Sequence, residues 1–170
     1  LISELTQILR YTINNTKRDV QLLEDMEYLK DYLSIQSSRF GERFSYEIDI
    51  APQCYSCIIP KLLLQPVIEN CIKYGFRKKV DLSVTIKGRM EGQVLWLQVI
   101  DNGGGLQEAE LEELKAFIVE PGLPSEHHGL RNIARRLYLK YGRDSGVSFK
   151  NNKMGGLTVT LRVSQKEMIG

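Results

Sequence analysis

The chain has 170 residues, a formal net charge of +2 and 42% hydrophobic residues. That length supplies one well-filled core with a smaller appendage, and the near-neutral balance gives no electrostatic footprint for nucleic acid. No apolar run is long enough to span a bilayer and no signal-peptide pattern opens the chain, which begins at Leu1 and reads as an excised piece of a longer parent.

Ile2, Leu5, Ile8, Leu9 and Ile13 recur at helical intervals until Asn14-Asn15-Thr16 breaks the pattern, predicting a helix and a turn. A longer helix is expected from Gln21 to Arg39. Its Leu22, Met26, Leu29 and Leu33 step by four and three, the spacing of a coiled-coil seam, so residues 1–40 are expected to form a dimerising helical hairpin. Gly41 ends that helix, and the rest, residues 41–170, is expected to be a second unit. There Phe44, Tyr46, Ile48 and Ile50 alternate as in a half-buried strand.

Cys54 and Cys57 form a Cys-x-x-Cys, but zinc would need two further ligands, and the histidines are His127 and His128, adjacent to each other and far along the chain. Reduced thiols in a cytosolic setting are the expectation. Next come a helix over 61–74, an antiparallel pair of strands at 82–89 and 94–101 turning at Glu91-Gly92, a weak helix over 107–117, and a loop at 120–125. Leu130, Ile133, Ala134, Leu137 and Tyr141 line one face of a further helix, which strands at 146–150 and 156–163 follow. Mixed strands with helices on one face make an α+β two-layer sandwich.

Two segments carry the chemistry. On the helix over 61–74, Leu63, Leu64, Val67, Ile68, Cys71 and Ile72 form a packing side, while Glu69, Asn70 and Lys73 share the other. A neutral asparagine oxygen suits Mg²⁺, which keeps its waters and its substrate phosphates. A solvated polar helix face is the plain alternative for this segment alone. The second segment, Asp101-Asn-Gly-Gly-Gly105, ends an apolar strand with a carboxylate able to accept a hydrogen bond from an exocyclic amine, as in selection of adenine over guanine. Gly103 and Gly105 would let the backbone approach the ring. Gly129 opens a helix whose free amides and positive end attract phosphate, with Arg131 and Asn132 in its first turn. Arg135, Arg136 and Lys140 read as a solvated basic face.

These segments resemble the GHKL or Bergerat-fold ATPases, and among them the LytS/YehU/YesM-type sensor histidine kinases. Leu62 to Gly75 is similar to that family's N box, Asp101 to Gly105 to its G1 box, and Gly129 to Leu137 to its G2 box. Glu27 to Gln36 with Arg39-Phe40 resembles the helix leading into the ATPase domain. The resemblance implies a Bergerat sandwich binding ATP and Mg²⁺, with Asn70 as metal ligand, Lys73 on phosphate, Tyr74 beside adenine and Asp101 as adenine reader. Glu69, Asn70 and Lys73 make up the implied catalytic group; Gly103, Gly105, Gly129, Leu130, Arg131 and Asn132 complete the nucleotide site.

Pro66 stands where relatives that hydrolyse ATP carry a glutamate base, which argues against efficient hydrolysis. His127 replaces the first glycine of the family's Gly-x-Gly turn. The family's phosphoacceptor histidine lies upstream of the matching region, so the implied activity is phosphoryl transfer to a histidine outside this chain. Implied partners are a second copy of the parent, joined through residues 1–40, and a response regulator; the parent is expected to be membrane-anchored with this domain cytoplasmic. Alternative readings are a nucleotide-sensing module weakened by His127, or another GHKL ATPase or an anti-sigma serine kinase.

Overall fold

The computed structural model describes residues 2–13, 19–119 and 128–166. Helix α1 (Ile2–Ile13) precedes strand β1 (Asp19–Gln21), which runs directly into helix α2 (Leu22–Phe40). Strands β2 (Phe44–Ile50) and β3 (Ile58–Pro60) lead to helix α3 (Gln65–Lys78). Strands β4 (Leu82–Glu91) and β5 (Val94–Asp101) form the expected hairpin, followed by helices α4 (Glu108–Val119) and α5 (His128–Tyr141), then β6 (Gly146–Asn151) and β7 (Leu157–Ser164).

Five strands form a mixed sheet in the order β2, β4, β5, β7, β6. β2 runs parallel to β4, from Phe44 opposite Leu82 to Ile50 opposite Gly88, and every other neighbour is antiparallel. Alternation assigns the two faces. Leu82, Val84, Ile86, Leu95, Leu97 and Val99 are at most 1% exposed on the helix side, whereas Trp96 lies on the other face beneath Arg89 and Arg162. The helices meet the sheet through Leu63, Leu64, Val67 and Ile68 of the α3 region and Leu130, Ile133 and Leu137 of α5, all in the same core. The α+β sandwich with helices on one face is therefore the observed architecture.

The seam on α2 has a different use from the one its spacing suggests. Leu22, Met26, Leu29 and Leu33 are at most 1% exposed and belong to the chain's own core, so they do not pair two copies as a coiled coil. Steps of four and three place residues on one helix face whatever that face covers. α1 does lie against α2, where the Ser34 hydroxyl donates to Glu4 Oε1 at 3.0 Å.

Three further departures have local causes. α3 starts at Gln65 rather than near Lys61, because Leu62 has φ +58° and Pro66 occupies the first turn, where its missing N–H costs nothing. β1 and β3 form a separate antiparallel two-stranded sheet with Val20 opposite Ile59, each strand too short to show alternation. The basic residues of α5 hold structure together: Arg136 donates to the Lys61 carbonyl at 3.1 Å, Lys140 pairs with Asp19, and the Tyr141 hydroxyl donates to Asp19 Oδ1 at 2.8 Å. The expected turns and loops at 14–16 and 120–125 lie outside the described residues.

Cys54 and Cys57 are free thiols in the core, where burial pushes both above their ordinary pKa, and Cys57 Sγ lies 3.4 Å from Met90 Sδ. Such thiols pack as small hydrophobes. Because α2 fills the same core as the sheet, Leu29→Ala should cost about 2–5 kcal/mol of unfolding free energy, independent of protein concentration; chemical denaturation at two concentrations measures both.

Candidate nucleotide site

Asp101 is 5% exposed at the end of β5, at the point where three chain segments converge. Its Oδ1 accepts the Gly103 amide at 2.8 Å and the Leu157 amide at 3.1 Å. The Cys71 thiol of α3 hydrogen-bonds the same carboxylate, and burial together with that charge pushes the thiol well above its ordinary pKa. A carboxylate has about four acceptor positions, so these three donors leave room for one more. An exocyclic amine is a donor of the kind such a carboxylate accepts.

The glycine run is shaped by contact as well as by φ. A Cβ on Gly103 would lie 2.9 Å from Gly75 Cα, and one on Gly75 would lie 2.5 Å from Leu82 Cδ1, so α3 and the loop after β5 touch backbone to backbone. Gly104 and Gly105 hold φ of +97° and +60°, a region that disfavours side chains. The two segments that sequence pattern paired are thus one physical unit. Asn102 ties the run to β4 by accepting the Ser83 amide at 2.8 Å through its side-chain oxygen.

On α3, Glu69 and Lys73 are exposed while Asn70 and Tyr74 are half-buried. Gln65 Nε2 donates to Glu69 Oε1 at 2.8 Å, which engages the carboxylate beside Asn70. Lys73 Nζ lies 5.2 Å from the centre of the Tyr74 ring and Arg77 Cζ lies 5.1 Å from it, so the ring carries cations on its flank. No hydrogen bond is formed by the Asn70 side chain among the described residues. An uncommitted amide oxygen is a ligand that Mg²⁺, which takes few protein ligands and keeps its waters, can use.

The start of α5 adjoins the start of α3: a Cβ on Gly129 would lie 3.2 Å from Pro66 Cβ. Arg131 is half-buried and Asn132 exposed in that first turn. Leu130 is 3% exposed within the hydrophobic core, so its side chain packs and only its backbone could meet a ligand. His127 and the side chain of His128 lie outside the described residues.

Sequence reasoning missed three residues that frame the site. Asn152 Nδ2 donates to the Asp101 carbonyl at 2.9 Å, while its oxygen accepts the amides of Met154 and Gly156. Asn151 pairs in both directions with the Leu106 backbone, at 2.9 and 2.7 Å, clasping the end of the glycine run. Lys78 Nζ donates to the Gly105 carbonyl at 2.8 Å. The sequence signal was present as Asn151-Asn-Lys-Met-Gly-Gly156, a polar turn between strands, but nothing local connects it to Asp101.

Comparison with known proteins agrees with this geometry. Residues 58–167 match the family described as histidine kinase-, DNA gyrase B-, and HSP90-like ATPase, and residues 1–44 match the histidine kinase family. A sensor-like histidine kinase of Staphylococcus epidermidis is 32% identical over 84% of the chain and 28% of its own length. The sensor protein kinase HptS of Staphylococcus aureus is 27% identical over 96% of the chain and 31% of its own length. The chain thus spans less than a third of these relatives. Among solved structures, the catalytic domain of the histidine kinase ThkA superposes with a TM-score of 0.65 at 13% identity, over 86% of this chain and 95% of that one. The histidine kinase domain of a blue-light activated kinase from Erythrobacter litoralis gives 0.62 at 16% identity, over 98% and 75%. A buried carboxylate, a glycine run seated on a helix, and a family match that takes in all three site segments lead to one conclusion: the chain belongs to the histidine kinase-, DNA gyrase B-, and HSP90-like ATPase family.

Proposed function

We propose that this chain is the ATP-binding catalytic domain of a two-component sensor histidine kinase of the LytS type. It binds Mg-ATP and transfers the γ-phosphoryl group to a histidine imidazole brought from outside the chain. The observation that carries this reading is the Asp101 carboxylate, held by Gly103, Leu157 and Cys71 beside the Gly75–Gly103 backbone contact. A purine amine is the donor that completes it.

In this reading Asp101 accepts the adenine amine, Tyr74 borders the ring, and Gly103 and Gly105 admit its plane. Lys73, Arg131, Asn132 and the amides of Gly129 and Leu130 face the phosphates. Magnesium bound through Asn70 would neutralise charge on the phosphate oxygens. The imidazole nitrogen attacks the γ-phosphorus, the bond from that phosphorus to the bridging oxygen breaks, and ADP leaves. Positioning and charge compensation are the domain's whole task, since an imidazole needs no base as strong as water does. Glu69, whose carboxylate accepts from Gln65, stands beside Asn70 in the sequence as the remaining member of the proposed catalytic group.

Relatives named as sensor kinases support a sensory parent; in this reading it is anchored in a membrane with this domain in the cytoplasm, and passes its phosphoryl group on to an aspartate of a response regulator. Ile2 and Leu5, 82% and 44% exposed on α1, are available in this reading for pairing two parents.

Asp101→Asn retains one oxygen for the Gly103 and Leu157 amides but removes the charge, so ATP affinity should fall about 10- to 100-fold in a calorimetric titration; unchanged affinity would contradict the adenine assignment. Asn70→Ala should leave nucleotide binding in EDTA intact, abolish its response to Mg²⁺, and lower transfer to an added acceptor-helix fragment at least about a hundredfold. Tight ATP binding by the native domain without any transfer to that fragment would rule out the kinase reading.

A further inference from the structure

Helix α2 lies alongside α3 and meets it or its lead-in at three levels. Asp25, 2% exposed, accepts the Leu62 amide on Oδ1 at 2.8 Å and the Leu63 amide on Oδ2 at 3.3 Å. Tyr32 faces Glu69: burial first, then that carboxylate, pushes its phenol above the usual range. The Phe40 ring stacks on Phe76 with centroids 4.3 Å apart and planes 23° from parallel, while Arg43 caps the Phe76 ring from 5.1 Å. Residues 25, 32 and 40 fall two helical turns apart, on one face. Their partners at 62, 69 and 76 advance in the same direction by similar steps, so α2 runs parallel to α3 and its lead-in.

The first of these contacts is the most demanding. Leu62 has φ +58°, a conformation unfavourable for a residue with a side chain that persists where its surroundings enforce it. The enforcing group is the Asp25 carboxylate, which takes both amides of the bend. From that bend the chain passes through fully buried Leu63 and Leu64 into the helix that carries Glu69, Asn70, Lys73 and Gly75.

We propose that Asp25 is a positioning residue for the nucleotide site, and that α2 is a splint fixing where α3 lies, and with it Asn70 and the Gly75 seat of the glycine run. This rests on the nucleotide reading of the site. Asp25 touches no substrate; it acts through the Leu62–Leu63 bend. α1, joined to α2 through Ser34 and Glu4, gains through the splint a route to α3.

Amide hydrogen exchange of the nucleotide-free chain, paired with Mg-ATP titration, tests the proposal in two variants. Asp25→Asn removes one acceptor and the charge, so exchange at residues 62–70 should rise about tenfold and ATP affinity should fall about tenfold, with β4 and β5 protected as in the native chain. Phe40→Leu should loosen residues 74–78 instead. Unchanged exchange at both ends of α3, a uniform rise that includes β4 and β5, or local loosening with native ATP affinity would each overturn it. If Asp25→Asn does not fold, the Phe40→Leu pattern decides. A native chain that binds no nucleotide would sink the reading of the site, while the exchange pattern would still decide whether α2 holds α3.

Discussion

A carboxylate taken out of water must find donors or lose its charge, and Asp101 is that carboxylate here. Its donors come from the glycine run, from the first residue of β7 and from α3, so satisfying one group brings three distant stretches of chain together. The surrounding backbone is as constrained as the side chain. A Cβ on Gly156 would lie 1.9 Å from the Asp101 carbonyl oxygen, and Asn152 donates to that same oxygen. The β6–β7 turn therefore has to be where it is for β5 to end where it does.

Much of this was legible in the chain because it is encoded by local spacing. The alternation of β4 and β5, the glycine run and the two-sided character of α3 each follow from residues within a dozen positions, and the structure retains them. What escaped notice depends on partners far away. β1 and β3 have three residues each and exist through pairing with one another. Asn151 and Asn152 look like ordinary turn residues until β7 carries the turn back to Asp101. The Leu22, Met26, Leu29 and Leu33 face illustrates the same limit: spacing shows that a face is apolar and is silent about whether it covers another molecule or its own sheet.

The consequence for function is a division of labour. In the proposed reading the pocket end of the sheet would hold a donor nucleotide by adenine and phosphates, and among the described residues Pro66 stands in the first turn of α3 while Glu69 is engaged by Gln65, so neither serves as a strong base for water. A site so arranged favours transfer to a nucleophile that needs no activation. Burial of α2 in the core and its levels of contact with α3 make the helical segment before the sheet part of the site's support rather than a detachable arm. α1 exposes Ile2 and Leu5 on the far side of that support.

The central claim is that a buried, backbone-clamped carboxylate reads an exocyclic amine. The most direct measurement is a calorimetric titration of the native chain with ATP and with GTP, both with Mg²⁺. Guanine presents a carbonyl oxygen where adenine presents that amine, so acceptor meets acceptor and binding should weaken by at least about a hundredfold. Equal affinity for the two nucleotides would contradict the account.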